Sequence, residues 1–313
     1  MWRMCFSRVC AILGSSKGKL VKKNIIFTIV FFCVAAVASA QAISVDYLDG
    51  TVELKSAKGW DSVSIGDTLA ATATVRVSGG GVLELTRGAQ RFSIVKDGTY
   101  AVADLLKSAD KMAKPGTGVS LAQKIKTISS QQQGQGSVAG VRGAQQGGKD
   151  DLMWAEEGDD VRDTVTQLLA SQKYGEAADT LTKALKDAAA DEKPELEYLL
   201  ATAYYDGGET ARAFRAVSVS SPGSDQSYYP DFMILKTQIL LDSAAYQDGI
   251  AAANQLLANK PAPQYAQVAY LLSAYCAKAL GDQKAVQAAV SAGVALDPQS
   301  ETAKLLTDSG KAP

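Results

Sequence analysis

The sequence predicts a protein of two domains, an all-β domain followed by an all-α helical solenoid. Between residues 43 and 105, short segments alternate apolar and polar side chains and are separated by glycines, which is typical of β-strands and turns. From residue 160 onward, Ala, Leu and Tyr recur at helical spacing, and the pattern repeats itself about every 36 residues. We therefore expect a β domain over residues 43–105, a Gly/Gln-rich linker and β-domain extension over residues 106–159, and a helical domain over residues 160–313.

Residues 1–40 have the pattern of a secretory signal peptide. They contain six basic residues and no acidic one, then the apolar run IIFTIVFFCVAAVA, then Ala38-Ser39-Ala40. The pattern predicts export to the periplasm with cleavage after Ala40. Three alternatives stay open: retention of the segment as a membrane anchor, lipidation of Cys33, and a start of translation at Val21 in place of Met1.

The composition disfavours several classes of function. The chain has 32 basic and 33 acidic residues, and loss of residues 1–40 leaves 26 against 33, a net charge of −7. Such an acidic protein is poorly suited to bind nucleic acid or anionic lipid. The sequence has no histidine, the commonest general base and metal ligand, so we expect no enzymatic activity, no metal site and no cofactor. Cys276 is the one cysteine beyond the signal segment, and its helical surroundings predict a core position.

The strands are expected at ISVDYL, TVELKS, VLELT, RFSIV and TYAVADLL. Asp49-Gly50 and Asp97-Gly98 lie between or beside these segments and predict hairpin turns, because Gly readily adopts positive φ. Strands this short must pack in a small sandwich or roll. Trp60 is expected to fill the core of this domain, with a ligand-facing aromatic as the alternative.

The β region resembles a FecR-type domain. The resemblance is carried by GWDSVSIGDTL, ATVRVSGGGVLEL and SVAGVRGAQ, and it covers about a third of the chain. The chain departs from the family pattern where LTRGAQ replaces the usual Leu-Pro-Asp-Gly turn and where Ser78 stands at a position commonly occupied by Thr. The resemblance implies a cell-envelope protein, in a family that includes regulators acting on inner-membrane partners.

The linker contains two misleading motifs. Gly143, Gly148 and Lys149 have the spacing of a phosphate-binding loop, but acidic residues follow Lys149 in place of Ser or Thr, and no apolar strand precedes the glycines. The acidic run KDDLMWAEEGDD lacks the spacing of a calcium loop and is expected to lead into a helix near Asp160. SLAQKIKTISS is expected to form one amphipathic helix within the linker.

The helical half contains four copies of a repeat. QKYGEAADTL, GGETARAFRA, AAYQDGIAAA and LGDQKAVQAA align so that Ala177, Ala213, Gly249 and Val286 take the same place. Prolines 261 and 298 follow twelve residues after the last two of these positions, where a helix is expected to stop. The segments LEYLLATAYYDGGETARAF and KALGDQKAVQAAVSAGVALDP resemble tetratricopeptide repeats. The resemblance implies a solenoid of helical hairpins, and QSETAKLLTD at residues 299–308 is expected to form its capping helix.

The repeat pattern predicts a surface that binds a protein or peptide partner. First-helix side chains facing a concave groove are expected to be Tyr198, Thr202, Tyr205, Gln238, Asp242, Tyr275 and Lys278. The sequence therefore predicts a non-enzymatic adaptor or scaffold of the bacterial cell envelope, with a possible second envelope component at the β domain. The alternatives are a FecR-like regulator or sensor, a structural subunit of a periplasmic assembly and, with less support, a protein that binds or modifies the cell wall.

Overall fold

The computed structural model describes residues 42–88, 90–112 and 157–311. Within these ranges an antiparallel β-sheet region precedes the helices of the carboxy-terminal half. The strands are β1 Ile43–Ser56, β2 Gly59–Ser62, β3 Thr68–Leu69, β4 Thr74–Arg87, β5 Gln90–Ile94 and β6 Gly98–Ala101. The helices are α1 Val102–Met112, α2 Glu157–Ala170, α3 Tyr174–Asp187, α4 Lys193–Asp206, α5 Thr210–Val219, α6 Tyr229–Asp242, α7 Tyr246–Ala258, α8 Pro263–Ala279, α9 Gln283–Leu296 and α10 Glu301–Ser309.

The sheet is built around two long strands. β1 and β4, each of 14 residues, pair with one another antiparallel along most of their length. β2 and β3 pair with the carboxy-terminal and amino-terminal parts of β1, while β5 and β6 pair with the two parts of β4. The predicted strand segments ISVDYL and TVELKS are thus two halves of one strand.

β1 continues through Asp49-Gly50 without a turn, so the prediction of a hairpin there was wrong. The pairing of β1 with β4 shifts register between Asp49 and Thr51, and Gly50 has a φ of 77°. The positive φ that favours Gly in a turn serves equally well at a bulge, which bends a strand without ending it. Gly79 and Gly80 also have positive φ on the facing part of β4, and Asp97-Gly98 joins two strands that both pair with β4 and not with each other. Between the pairs Asp49–Val82 and Thr51–Ser78, residues 79–81 of β4 stand opposite Gly50 alone, so the extra residues of this bulge are in β4.

The apolar face of the sheet forms its own core. Ile43, Val75, Leu83 and Leu85 are almost completely buried in it, and Val102 at the start of α1 joins the same cluster. The chain therefore becomes helical at Val102, within the segment TYAVADLL that was predicted as a strand. Trp60 lies outside this core, contrary to the prediction: it is half-buried, with the Cζ of Arg76 4.4 Å from its ring centroid.

The helices follow the predicted repeat. α3, α5, α7 and α9 begin at residues 174, 210, 246 and 283, and the fourth residue of each is buried. These residues are Ala177, Ala213, Gly249 and Val286, as the sequence predicts for close-packed positions. At Gly249 a side chain would meet Cys276 of α8, since an added Cβ would lie 2.8 Å from the sulfur. Burial of Cys276 confirms its predicted core position, and burial raises the pKa of its thiol to about 12.

Consecutive helices pack side by side from α2 to α10, and α6 also contacts α4 and α8. The helix predicted for residues 299–308 is α10, whose Ser300 cap accepts a hydrogen bond from the backbone N–H of Ala303 at 3.0 Å. The prediction of a helix start near Asp160 agrees with α2, which begins at Glu157. No helix within residues 102–112 and 157–311 is long and apolar enough to cross a membrane.

The sheet and the helices share a packed boundary. Val82 of β4 and Val95, the residue after β5, belong to the same buried apolar cluster as Ala211 and Phe232 of the helices. α5 contacts both β4 and β5. The predicted signal peptide, the phosphate-loop-like motif, the helix SLAQKIKTISS and the segment SVAGVRGAQ lie outside the described residues.

Candidate partner-binding surface

Five side chains from α4, α6 and α8 meet along α6 and form what we call the Tyr–Asp face: Tyr198, Tyr205, Asp231, Asp242 and Tyr265. Asp231 and Asp242 are eleven residues apart on α6, which is close to three helical turns, so both lie on the same side of the helix. All five residues are half-buried or exposed. The face therefore combines aromatic rings and carboxylates that solvent or a partner can reach.

The carboxy-terminal end of α6 is bound to α4. The Tyr205 hydroxyl donates a hydrogen bond to Oδ2 of Asp242 at 2.6 Å. Although the Asp242 residue has exposed surface, protein atoms displace water from around its carboxyl, and this desolvation raises its pKa. Desolvation and the neighbouring Asp242 charge together raise the pKa of Tyr205 well above its usual value. The hydroxyl stays protonated at neutral pH and remains a donor.

The amino-terminal end of α6 is bound to α8 in the same manner. The Tyr265 hydroxyl donates to Oδ2 of Asp231 at 3.2 Å. Burial raises the pKa of the Asp231 carboxyl, and burial together with the Asp231 charge raises the pKa of Tyr265 to about 12. Tyr198 lies beside this pair and stacks on Tyr228 with ring centroids 5.6 Å apart. One Tyr–Asp pair thus connects α4 with α6, and the other connects α8 with α6.

The seven residues predicted to face a partner have different surroundings. Tyr198, Tyr205 and Asp242 belong to the Tyr–Asp face, and the Thr202 hydroxyl between the two tyrosines donates to the backbone oxygen of Tyr198 at 2.9 Å. Gln238 is buried within α6. Sequence reasoning did not select Asp231 and Tyr265, although Asp231 lies three turns before Asp242 and could have been found from that spacing.

The two predicted residues of α8 lie towards α10. Tyr275 is half-buried, and the nearby Asp308 charge adds to the desolvation that raises its pKa. The Lys278 ammonium donates to the backbone oxygens of Ser309 at 2.9 Å and Lys311 at 3.2 Å. A cation at this position stabilises the end of α10, where unpaired carbonyls accumulate.

A second polar region joins the sheet to the helices, and we call it the β–helix seam. Glu84 of β4 is buried, and its Oε2 accepts a hydrogen bond from the backbone N–H of Ala211, in the first turn of α5, at 3.0 Å. Arg91 donates to Oε1 of Glu84 at 3.2 Å. Desolvation raises the pKa of Glu84, and these hydrogen bonds and the Arg91 charge offset part of that increase. A carboxylate at the amino-terminal end of α5 also compensates the partial positive charge there.

Two arginines of α5 complete the seam. Arg215 pairs with Asp49, beside the register shift between β1 and β4, and donates to the backbone oxygen of Gly80 at 3.3 Å. The hydrogen bond from Arg215 lowers the pKa of Asp49. The Arg212 guanidinium lies 5.2 Å from the ring centroid of Tyr47 on β1. The contacts of Arg215 therefore bring α5 to the place where β1 and β4 shift register.

The β–helix seam was not predicted. The expected linker over residues 106–159 suggested separate domains, and no local pattern indicates that Glu84 on an alternating strand pairs with a helix 127 positions away. Among the described residues, no group of three or more cysteine, aspartate or glutamate side chains is placed to hold a metal ion. The Tyr–Asp face joins helices to one another, and the β–helix seam joins α5 to the sheet.

Comparison with models of protein families, with curated proteins and with solved structures found no match for this chain.

Proposed function

We propose that the protein is an exported, non-enzymatic adaptor of the cell envelope that binds a partner protein on the Tyr–Asp face. One observation supports the proposal most: tyrosines of α4 and α8 meet two carboxylates of α6 on one side of that helix. Partly exposed tyrosines provide large, rigid contact areas, and the adjacent carboxylates provide directional hydrogen bonds. In this proposal the helices are a tetratricopeptide-like solenoid and the sheet is a FecR-like domain.

The β–helix seam has a part in the proposed function. A sheet that is packed on α5 orients its solvent-facing side relative to α4, α6 and α8, so a second envelope component bound by the sheet would be held in a defined position. An adaptor benefits from such rigidity because less conformational entropy is lost on binding. Export through the predicted signal peptide places the adaptor in the periplasm.

Site-specific photo-crosslinking in living cells tests the proposal with the full chain. In one variant a photoreactive phenylalanine analogue replaces Thr202, which lies between the two tyrosines of α4. In the matched variant the analogue replaces Ser291, an exposed residue of α9. We expect a specific protein to be covalently captured from Thr202 and not from Ser291. Capture of the same protein equally from both positions, or from Ser291 alone, would contradict a partner site on the Tyr–Asp face.

A further inference from the structure

The two carboxylates of the Tyr–Asp face have no cationic partner within the described ranges. Asp231 and Asp242 each accept a hydrogen bond from a neutral tyrosine hydroxyl, and neither forms an ion pair with a lysine or arginine of residues 42–88, 90–112 or 157–311. Both carboxyls have lost part of their hydration. Because a carboxylate without full hydration or a counter-charge is unfavourable, an incoming cation would stabilise both positions.

The lysines of α6 and α8 do not supply that charge. Lys236 lies on another side of α6, with its ammonium 5.8 Å from the ring centroid of Phe232. Lys278 donates to backbone oxygens at the end of α10. The Tyr–Asp face therefore presents negative charge together with aromatic rings, and both features attract an ammonium or guanidinium group.

The distance between the carboxylates defines the shape of the occupant. Eleven residues of α-helix separate Asp231 from Asp242, about 16 Å along the axis at 1.5 Å per residue. An extended chain advances about 3.3 Å per residue, so two cationic side chains roughly four to six residues apart would reach both sites. A compact cation can occupy only one of them.

We propose that the Tyr–Asp face binds an extended, positively charged segment of the partner, with two lysine or arginine side chains four to six residues apart. This inference rests on the proposed function and specifies the chemistry of the partner at that same face. One cation pairs with Asp242 beside Tyr205, and the other pairs with Asp231 between Tyr198 and Tyr265. The tyrosine rings flank the cations and the hydroxyls keep the carboxylates in place.

Fluorescence anisotropy with short labelled peptides tests the inference. The probe is a Gly/Ser peptide of fourteen residues with two arginines four positions apart, and the comparison peptides have adjacent arginines or two glutamates in place of the arginines. We expect the spaced-arginine peptide to bind at least about fivefold more tightly than the adjacent-arginine peptide, and the glutamate peptide not to bind. The affinity should fall as salt is added, because exposed charge pairs are screened.

Substitutions in the full mature chain locate the binding site. Asp231→Asn and Asp242→Asn each preserve an acceptor oxygen for the tyrosine, and we expect each to weaken binding by about five- to tenfold. Asp179→Asn on α3 is the matched control, since Asp179 is exposed and its replacement changes the net charge equally. Equal weakening by all three variants, or by none, would overturn the inference, and so would tighter binding of the glutamate peptide.

The crosslinking from Thr202 separates the two proposals. Thr202 could capture a partner whose crosslinked segment has no such pair of basic residues, while the arginine peptide fails to bind. The inference of a basic partner segment would then be wrong, and the adaptor proposal would stand. If Thr202 captures no protein and the arginine peptide fails to bind, both proposals are wrong.

Discussion

Glu84 is a buried carboxylate on a strand whose hydrogen bonds extend to a helix. Its side chain is 3% exposed, and it accepts hydrogen bonds from the Ala211 N–H, from Arg91 and, at 3.4 Å, from the Ser93 hydroxyl. A buried carboxylate is stable only when such donors replace its water. The hydrogen bond between Glu84 and the backbone of α5 therefore stabilises the packing of the sheet on this helix.

Replacement of Glu84 should distinguish its hydrogen-bonding role from its charge. We expect Glu84→Ala to lower the free energy of unfolding by about 2–3 kcal/mol, because the Ala211 N–H loses its acceptor inside the protein and Arg91 loses a partner. Glu84→Gln keeps an acceptor oxygen and should cost less than about 1 kcal/mol at pH 7. Urea unfolding followed by circular dichroism measures both.

The same pair of variants makes a prediction about pH. Burial raises the pKa of Glu84, so the native state binds a proton more tightly than the unfolded chain. The contribution of this carboxyl to stability is then fully present below the ordinary glutamate pKa and is lost as pH rises through the native value. The stability difference between the wild type and Glu84→Gln should be more favourable to the wild type at pH 4 than at pH 7. A difference that grows towards pH 7 would contradict a raised pKa.

The repeated helices could be predicted from the sequence, whereas the course of the strands could be predicted only in part. Ala177, Ala213, Gly249 and Val286 reveal the register because close helix packing accepts only compact side chains at a fixed position in each copy. Gly50 has no comparable signature, since positive φ is shared by hairpin turns and bulges. Which of the two forms depends on the distant strand β4, which carries the extra residues of the bulge opposite Gly50.

The pairing of Tyr205 with Asp242 shows the same limit at the candidate site. Helical periodicity selects both residues as members of one face, but the hydrogen bond between them depends on how far α4 and α6 are displaced along one another. That displacement results from packing along the whole length of the helices, which one sequence does not specify. Periodicity therefore located three of the five residues of the Tyr–Asp face and missed Asp231 and Tyr265.

Two glycine substitutions test the close approach of β1 and β4 at the bulge. In Gly50→Ala the new Cβ would lie 2.7 Å from Cα of Gly81, and the residue would also keep a left-handed backbone. Gly80 has a similar φ of 69°, but an added Cβ there would meet no atom within 4 Å, so Gly80→Ala isolates the conformational cost. We expect Gly80→Ala to lower the free energy of unfolding by about 1 kcal/mol and Gly50→Ala to lower it by about 3 kcal/mol.

Thermal unfolding of both variants beside the parent measures these costs. The larger effect at Gly50 is expected because backbone atoms of β4 cannot move aside as a flexible side chain could. Equal shifts of the melting temperature in the two variants would mean that β1 and β4 separate easily at the bulge, contrary to their close packing at this point.

For the whole molecule, the question is whether the sheet and the helices unfold together. A shared apolar cluster joins them, and so do the polar contacts of Glu84 and Arg215 in the β–helix seam. Packing of this kind couples two regions when separation would expose apolar surface and leave buried polar groups unpaired. We therefore expect one cooperative transition for the mature chain.

The double variant Glu84→Ala/Arg215→Ala should separate that transition into two. In a background with Trp154→Phe, fluorescence of Trp60 reports on the sheet, while circular dichroism at 222 nm reports mainly on the helices. We expect the two signals to coincide for the parent chain, and the Trp60 signal to change at a lower urea concentration in the double variant. The sheet loses stability first because it is the smaller unit and its own core is limited.

Arg162→Ala provides the control for that experiment. Arg162 of α2 pairs with Glu195 of α4 at 3.1 Å, so its loss weakens contacts within the helices and leaves the β–helix seam unchanged. In this variant the fluorescence and dichroism transitions should both move to lower urea and remain coincident, because the coupling between the sheet and the helices is intact. Coincident transitions in the double variant as well would mean that Val82, Val95 and the apolar cluster around them couple the two regions without help from Glu84 and Arg215.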